Sequence, residues 1–305
     1  MTPIRGFLKG KDLFGLIGIS NLAIIATVII IVAILGIEGL RIFIKEGVNF
    51  ISTSVWSGVR ERYGILFALG GTLITGVMAI SIALVMAVAS SITIVEILPR
   101  RLKPLISSLV DLSASIPTVI YGLWGLFVLA PLLANIAENP LLSALKSYLG
   151  SPGSLGTSLF TGSILLSIMI SPFATAIVRE ALYSVPKYVD EALYSLGLTR
   201  FEVIMLKVRY IRRAILVAAM VAYGRAVGET IAVSMVVGNV VNPEFWKILN
   251  PGYTIASLIA DQYQNAESYY YMVPAIFGAA LILFAIGLAV NIAVIAISRG
   301  ARYGD

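Results

Sequence analysis

The chain has 305 residues, 59% hydrophobic and only 12% charged, with a net charge of +6 and a mean hydropathy of +0.96. A soluble domain carries about 25% charged residues, so this chain cannot clothe a water-facing surface, and an all-α polytopic membrane bundle is the class that remains. With no Cys and no His, disulfides, thiolate chemistry, imidazole metal sites and the Ser/His and Cys/His nucleophile arrangements are excluded.

Apolar runs long enough to cross a bilayer fall near 13–36, 65–95, 105–133, 159–178, 214–238 and 273–297, predicting six spans in one membrane domain over residues 1–305. The first follows Arg5, Lys9 and Lys11. It exceeds the core of a signal peptide and has no small-x-small cleavage site, so it reads as a retained anchor. The second and third runs are long and must tilt or extend beyond the lipid. Pro117 interrupts the third and reads first as a packing kink, which membrane helices tolerate where neighbours satisfy the freed backbone. Gly122 and Gly125 leave room for close packing beside Trp124, and Asp111 reads as a structural carboxylate near the span end. Residues 134–158 are rich in Gly, Ser and Pro, with one short surface helix expected at 141–149. Residues 239–272 carry aromatics, the Tyr269–Tyr271 run above all, that suit the headgroup layer.

Lys and Arg set the orientation. The N-terminal tail, 96–104, 179–213 and the tail after 297 hold 15 of them, and the alternate segments hold 6. Both termini are therefore expected in the cytoplasm. This asymmetry accounts for the positive charge without nucleic-acid binding.

The longest basic link, 179–213, reads "REALYSVPKYVDEALYSLGLTRFEVIMLKVRYIRR". Pro186 suits the first turn of a helix, and Val189, Ala192, Leu193 and Leu196 then recur at helical spacing. Gly197 supplies a left-handed stop, and Thr199 caps a second helix carrying Phe201, Ile204 and Met205. Two short helices bent at a glycine form a knob for a cytoplasmic partner. An ordinary basic amphipathic loop is the less favoured alternative.

In this link the chain resembles the permease subunits of ABC importers, whose cytoplasmic signature begins Glu-Ala-Ala with a Gly following. Glu191, Ala192 and Gly197 match, Leu193 stands for the second Ala, and Pro186 and Thr199-Arg200 fit the flanks. The signature's closing Leu-Pro is here Arg209-Tyr210. Two further stretches, "SASIPTVIYGLWGLFVLAP" (113–131) and "GRAVGETIAVSMVVGN" (224–239), resemble the phosphate-specific importers, and within them the C-type subunit, because Ile231-Ala232 replaces the Ala-Pro of the A-type. The resemblance implies the type I importer permease fold and ATPase coupling through Pro186, Glu191, Ala192, Gly197, Thr199 and Arg200. It also implies an A-type permease partner, a cytoplasmic ATPase dimer and an extracytoplasmic phosphate-binding protein. No G-x-x-x-x-G-K-[ST] loop occurs, so the chain is expected not to be an enzyme and to hold no cofactor, with ATP and Mg used by the partner.

The fifth run holds Arg225 and Glu229, four apart and so on one face of a continuous helix. Charges in lipid are expensive and face the bundle interior or a wet path. Gly224 and Gly228 form a small-xxx-small step behind them, read as helix packing. Either the two charges neutralise each other and fix the helix, or they line an anion's route, with Arg225 gripping it and Glu229 preventing a permanent trap. The resemblance implies that both are needed for transport. Thr230, Ser234 and Asn239 add polar groups along the path, although such hydroxyls more often bond the backbone one turn back. The reading is a phosphate-importer permease working by alternating access in the cell membrane. Importers of sulfate or molybdate, an ion-coupled secondary transporter and an intramembrane hydrolase are the alternatives, the last disfavoured because the spans offer no carboxylate dyad.

Overall fold

The computed structural model describes residues 10–139 and 146–300, and most of them are helical. Helix α1 (Gly10–Glu46) leads to a single turn, α2 (Asn49–Ser52), and an antiparallel hairpin of β1 (Trp56–Ser57) with β2 (Arg62–Tyr63). Helix α3 (Leu66–Ile92) ends in a π turn over Thr93–Ile97 and is followed by α4 (Lys103–Ser113). Helix α5 (Thr118–Trp124) continues through a second π turn, Gly125–Leu129, into α6 (Ala130–Ala137). Then come α7 (Lys146–Leu149), α8 (Leu159–Tyr183), α9 (Lys187–Ser195), α10 (Arg200–Tyr210), α11 (Arg212–Gly228) and α12 (Ile231–Val236). Helix α13 (Ile255–Gln262) and α14 (Met272–Gly300) are the last described elements. The expected surface helix at 141–149 lies partly outside the described residues, and its described end, α7, is helical.

Among the described residues five segments are long and apolar enough to cross a membrane: Ile19–Glu46, Leu66–Ile97, Thr118–Ala137, Leu159–Tyr183 and Met272–Ala296. Two of the six expected spans differ from the sequence reading. The third does not run from 105 to 133, because α4 is a separate helix and the crossing begins at Thr118. Pro117 is the cause. It caps α5 in an extended conformation (φ −56°, ψ 135°), and a residue before proline is driven out of the helical region. The hydroxyls of Ser113 and Ser115 close α4 by donating to the carbonyls of Val110 and Leu112, each at 2.6 Å. Pro117 is thus a helix boundary rather than a kink, and Tyr121 staples the two sides by donating to the Ser113 carbonyl (2.9 Å).

The fifth span is likewise split. Helix α11 stops at Gly228 and α12 restarts at Ile231, so 214–238 is not one continuous helix.

The centre of the bundle is the contact of α3 with α8. Along α3 every fourth residue is small and buried: Gly71, Thr75, Ala79, Ala83, Ala87 and Ser91. Along α8, Ser163, Ser167, Ser171 and Thr175 repeat the same spacing and are also buried. In lipid there is no hydrophobic drive between helices, and small residues that let backbones approach supply the contact energy. The hydroxyls bond their own backbone, as in Thr75 to Gly71 (2.7 Å) and Ser163 to Leu159 (2.8 Å), so each ladder presents a satisfied surface. Ser91 crosses over to the Thr175 carbonyl (3.1 Å). Pro172 lies within α8 and leaves the Ile168 carbonyl without its usual amide, and the Ser171 hydroxyl donates to that carbonyl instead (3.1 Å).

Helix α11 packs on α3, α8 and α14, and α1 lies along α14. Helix α12 packs on α5, close enough that a Cβ at Gly122 would sit 3.0 Å from the Ala232 Cα. At the end of the bundle where α3 and α8 begin, residues 237–254 fold back over the start of α8. The carbonyls of Ile248 and Asn250 accept from the Phe160 and Leu159 amides at 2.8 and 3.2 Å, satisfying donors that a helix start leaves open. Here too Tyr270 and Tyr271 meet α1, with the Arg41 guanidinium 5.9 Å from the Tyr270 ring centroid and the Lys45 ammonium 3.8 Å from that of Tyr271.

Candidate functional site

The sequence places two charged residues in an apolar run, and the structure puts them on either side of a helix break. Glycine and a β-branched threonine flank Glu229, and both are weak helix formers. Glu229 has an extended backbone (φ −72°, ψ 126°) and its amide reaches only the Ala226 carbonyl. Its carboxylate then accepts from the Ala232 amide (3.4 Å), satisfying a donor at the start of α12. Arg225, one turn before the break, lies with its guanidinium 4.0 Å from the centroid of Phe173, next to Pro172 in α8. The expected shared face of Arg225 and Glu229 is therefore corrected. They do not lie on one helix, and among the described residues neither is in an ion pair. Arg225 is exposed on the surface of this single chain, and Glu229 is half-buried.

The polar neighbours divide by what their protons are doing. Thr230 donates its hydroxyl to the Gly228 carbonyl (3.3 Å) and Ser234 to the Ile231 carbonyl (2.9 Å). Those protons are committed to the backbone and leave acceptor lone pairs, which repel an anion. Asn239, in a left-handed conformation (φ 50°), donates to the Ser234 carbonyl (2.9 Å) and keeps a buried Oδ1 without a partner among the described residues. Gly224 and Gly228 do not form the tight helix contact expected of them. A Cβ at Gly224 would lie 3.9 Å from Val290, and one at Gly228 would meet nothing within 4 Å. Close packing in this region belongs to Gly122 instead.

At the opposite, basic end, the expected bent helix pair is present. Pro186 is the N-cap of α9, one position earlier than expected. Gly197 turns the chain with φ 78°. Thr199 caps α10 in a full capping box, its amide and hydroxyl both donating to Glu202 at 2.8 and 2.7 Å. The Thr199 side-chain and backbone donors hold the Glu202 carboxyl below its usual range. Glu191, Ala192 and Arg200 are exposed, while Val189 and Leu193 are half-buried. Tyr188, Tyr194, Leu196, Phe201 and Met205 stand out from the pair as exposed apolar side chains. Gly197→Ala is expected to destabilise the bend by about 1–2 kcal/mol. A Cβ there meets open space, so the whole effect is backbone strain, readable as faster amide hydrogen exchange in 187–210 without change elsewhere.

What fastens this pair to the spans was not singled out from sequence. Lys207, on α10 and only 5% exposed, lies 3.0 Å from Asp190 Oδ2 on α9 and 2.7 Å from Glu96 Oε1 in the π turn ending α3. Arg200 also donates to the Glu96 carbonyl, and Lys103 to that of Val95. Beside it, Arg179 of α8 grips Asp111 of α4 with a forked pair, both contacts 3.2 Å. Asp111 thus has the structural role expected of it. Among the described residues no cluster of three His, Cys, Asp or Glu is placed to hold a metal.

A bundle of lipid-facing helices, with a charged break in one span and an apolar-faced helix pair ion-paired to another, has the construction of a transport permease. The chain belongs to the family of binding-protein-dependent transport system inner membrane components, whose model matches residues 79–303. It is 38% identical over 301 residues to the probable phosphate transport system permease protein PstC of Methanocaldococcus jannaschii, covering 95% of this chain and 94% of that one. It is 33% identical over 321 residues to the phosphate transport system permease protein PstC 2 of Mycobacterium tuberculosis, covering 100% and 95%. Among solved structures, a chain of a bacterial alginate ABC transporter, crystallised with a pentasaccharide-bound periplasmic protein, superimposes with a TM-score of 0.63 at 15% identity, covering 96% and 98%. At that identity the likeness establishes the fold alone, the ABC importer permease fold expected from sequence.

Proposed function

We propose that this chain is a C-type permease subunit of an ATP-driven importer of inorganic phosphate, and that it carries no bond chemistry of its own. The observation that carries the reading is its 38% identity, over nearly the whole chain, to a relative named as a phosphate permease. The geometry of the fifth span supports an anionic substrate. Arg225 is a cation with no carboxylate partner among the described residues, stacked on Phe173 beside the break.

In this reading a related A-type permease completes the path, an extracytoplasmic binding protein delivers phosphate, and two ATPase subunits holding ATP and Mg dock on α9 and α10. Both termini are cytoplasmic, as the Lys and Arg asymmetry indicates. The exposed Tyr188, Tyr194, Leu196 and Phe201 enter the ATPase, around Glu191, Ala192 and Gly197. ATP-driven closure draws the helix pairs together, and the spans rock to open the path alternately inward and outward. Arg225 offers a planar fork to the phosphate oxygens. Glu229 accepts from the remaining phosphate proton and keeps the site weak enough to release its ion.

The deciding experiment is uptake into proteoliposomes containing the complete transporter. Accumulation of labelled phosphate is expected only with ATP inside and binding protein outside, and excess sulfate is expected not to compete. Sulfate competing as well as phosphate would move the assignment to another oxyanion, and uptake without ATP would overturn the importer class.

A further inference from the structure

A groove of about 850 Å³ opens at the basic end between α10, the start of α11 and the far end of α14. Its walls are apolar, formed by Met205, Leu206, Ile215 and Leu216, and its rim carries Arg209, Arg212 and Arg213. These three arginines are exposed and crowded within five residues of chain. Among the described residues none of them is in an ion pair. The contrast with their surroundings is sharp, because Lys207 and Arg179 in the same region are both paired with carboxylates. Arg212 and Arg213 also open α11, where the helix dipole disfavours cations unless an anion lies near.

We propose that this groove binds an acidic phospholipid of the membrane leaflet at the basic end, with the phosphate-bearing headgroup on Arg209, Arg212 and Arg213 and the acyl chains along Leu206, Ile215 and Leu216. Charge complementarity selects the headgroup, since juxtamembrane arginines attract anionic lipid. The wall selects an amphiphile over a free anion, because an inorganic ion gains nothing from an apolar floor. Tyr210, exposed beside the rim, has the amphipathic ring that settles at headgroup level. The volume is within the range of ligand pockets, about 300–1,000 Å³. The inference rests on membrane placement and is independent of the transported ion.

The chain has no cysteine, so Val208→Cys, at the groove but outside the residues assigned to headgroup and acyl chains, gives a single site in this chain for a fluorophore attached before assembly. The labelled chain, assembled with its partner subunits, is reconstituted into phosphatidylcholine vesicles with an equal minor fraction of either brominated phosphatidylglycerol or brominated phosphatidylcholine. Quenching by the acidic lipid is expected to be about threefold stronger or more, and to fall towards parity at high salt. R209Q/R212Q/R213Q in the labelled chain is expected to abolish the preference. Should that variant fail to assemble, the salt titration of the parent decides alone. Equal quenching by both lipids overturns the proposal. So does quenching by neither, which would mean that the groove is closed to lipid in the assembled transporter.

Discussion

Arg225→Gln is expected to lower phosphate uptake about 10- to 100-fold, the effect of losing a charge-assisted contact of about 1.5–3 kcal/mol. The unfolding midpoint of the isolated chain should move little, because the side chain is exposed there, makes no ion pair among the described residues and loses only its cation contact with Phe173. Glutamine keeps a flat amide to rest on Phe173 but offers no charge. Arg225→Lys keeps the charge and loses the planar fork and its stacking, so it should fall between the two. Glu229→Gln retains an oxygen for the Ala232 amide and removes only the charge. Its uptake should fall too, through tighter retention of the anion. The double variant separates the two roles left open by the sequence. If Arg225 and Glu229 existed to neutralise each other, removing both charges would restore uptake. The break between them predicts no recovery. Near-normal uptake in both single variants would sink the anion-path reading altogether.

That choice was not available from the sequence, for a physical reason. Two charges in an apolar run are legible as a functional feature because lipid penalises them so strongly. The helix break is not legible, since Gly228 and Thr230 disfavour helix by about 1 kcal/mol or less each and apolar counting is blind to such sums. Pro117 was visible and its consequence understated, because Leu112, Ala114 and Ile116 keep the run apolar across a real boundary. The α3 ladder from Gly71 to Ser91 was present in the sequence at a strict four-residue spacing. Hydropathy treats alanine and leucine alike and hides it. Caps behaved differently. Gly197 and Thr199 act through their own backbone and the next turn, and both did what local chemistry dictates. Lys207 was one basic residue among seven in its link. No pattern along the chain reveals that Glu96, more than a hundred residues earlier, meets it in space.

Lys207→Met is expected to uncouple the machine, lowering phosphate uptake about tenfold or more while the partner ATPase continues to hydrolyse ATP. The methionine keeps the side chain's length and apolar stem but leaves Glu96 and Asp190 facing each other without the ammonium. Removing one partner of a buried ion pair destabilises by about 3–5 kcal/mol. Asp190 is one-third exposed (34%), so water screens part of that and the lower end of the range applies. The loss falls on the junction of α9, α10 and α3 rather than on the bundle core, so the chain should still assemble. Burial alone would pull the Lys207 ammonium down, but hydrogen bonds and charge attraction from Glu96 and Asp190 outweigh it and hold the group above its usual 10.5. A raised value means that this stabilisation is complete below 10.5 and is lost only as pH rises through the folded value. The ratio of ATP hydrolysed to phosphate carried should therefore not vary with pH on account of Lys207 anywhere in the range where cells live. The ratio is also the measurement that separates transmission from scaffolding. If Lys207→Met lowers uptake and ATP hydrolysis in equal proportion, the triad merely holds the helix pair in place. If the ratio rises and Lys207→Arg restores it, force from the docking helices reaches α3 through this one ammonium.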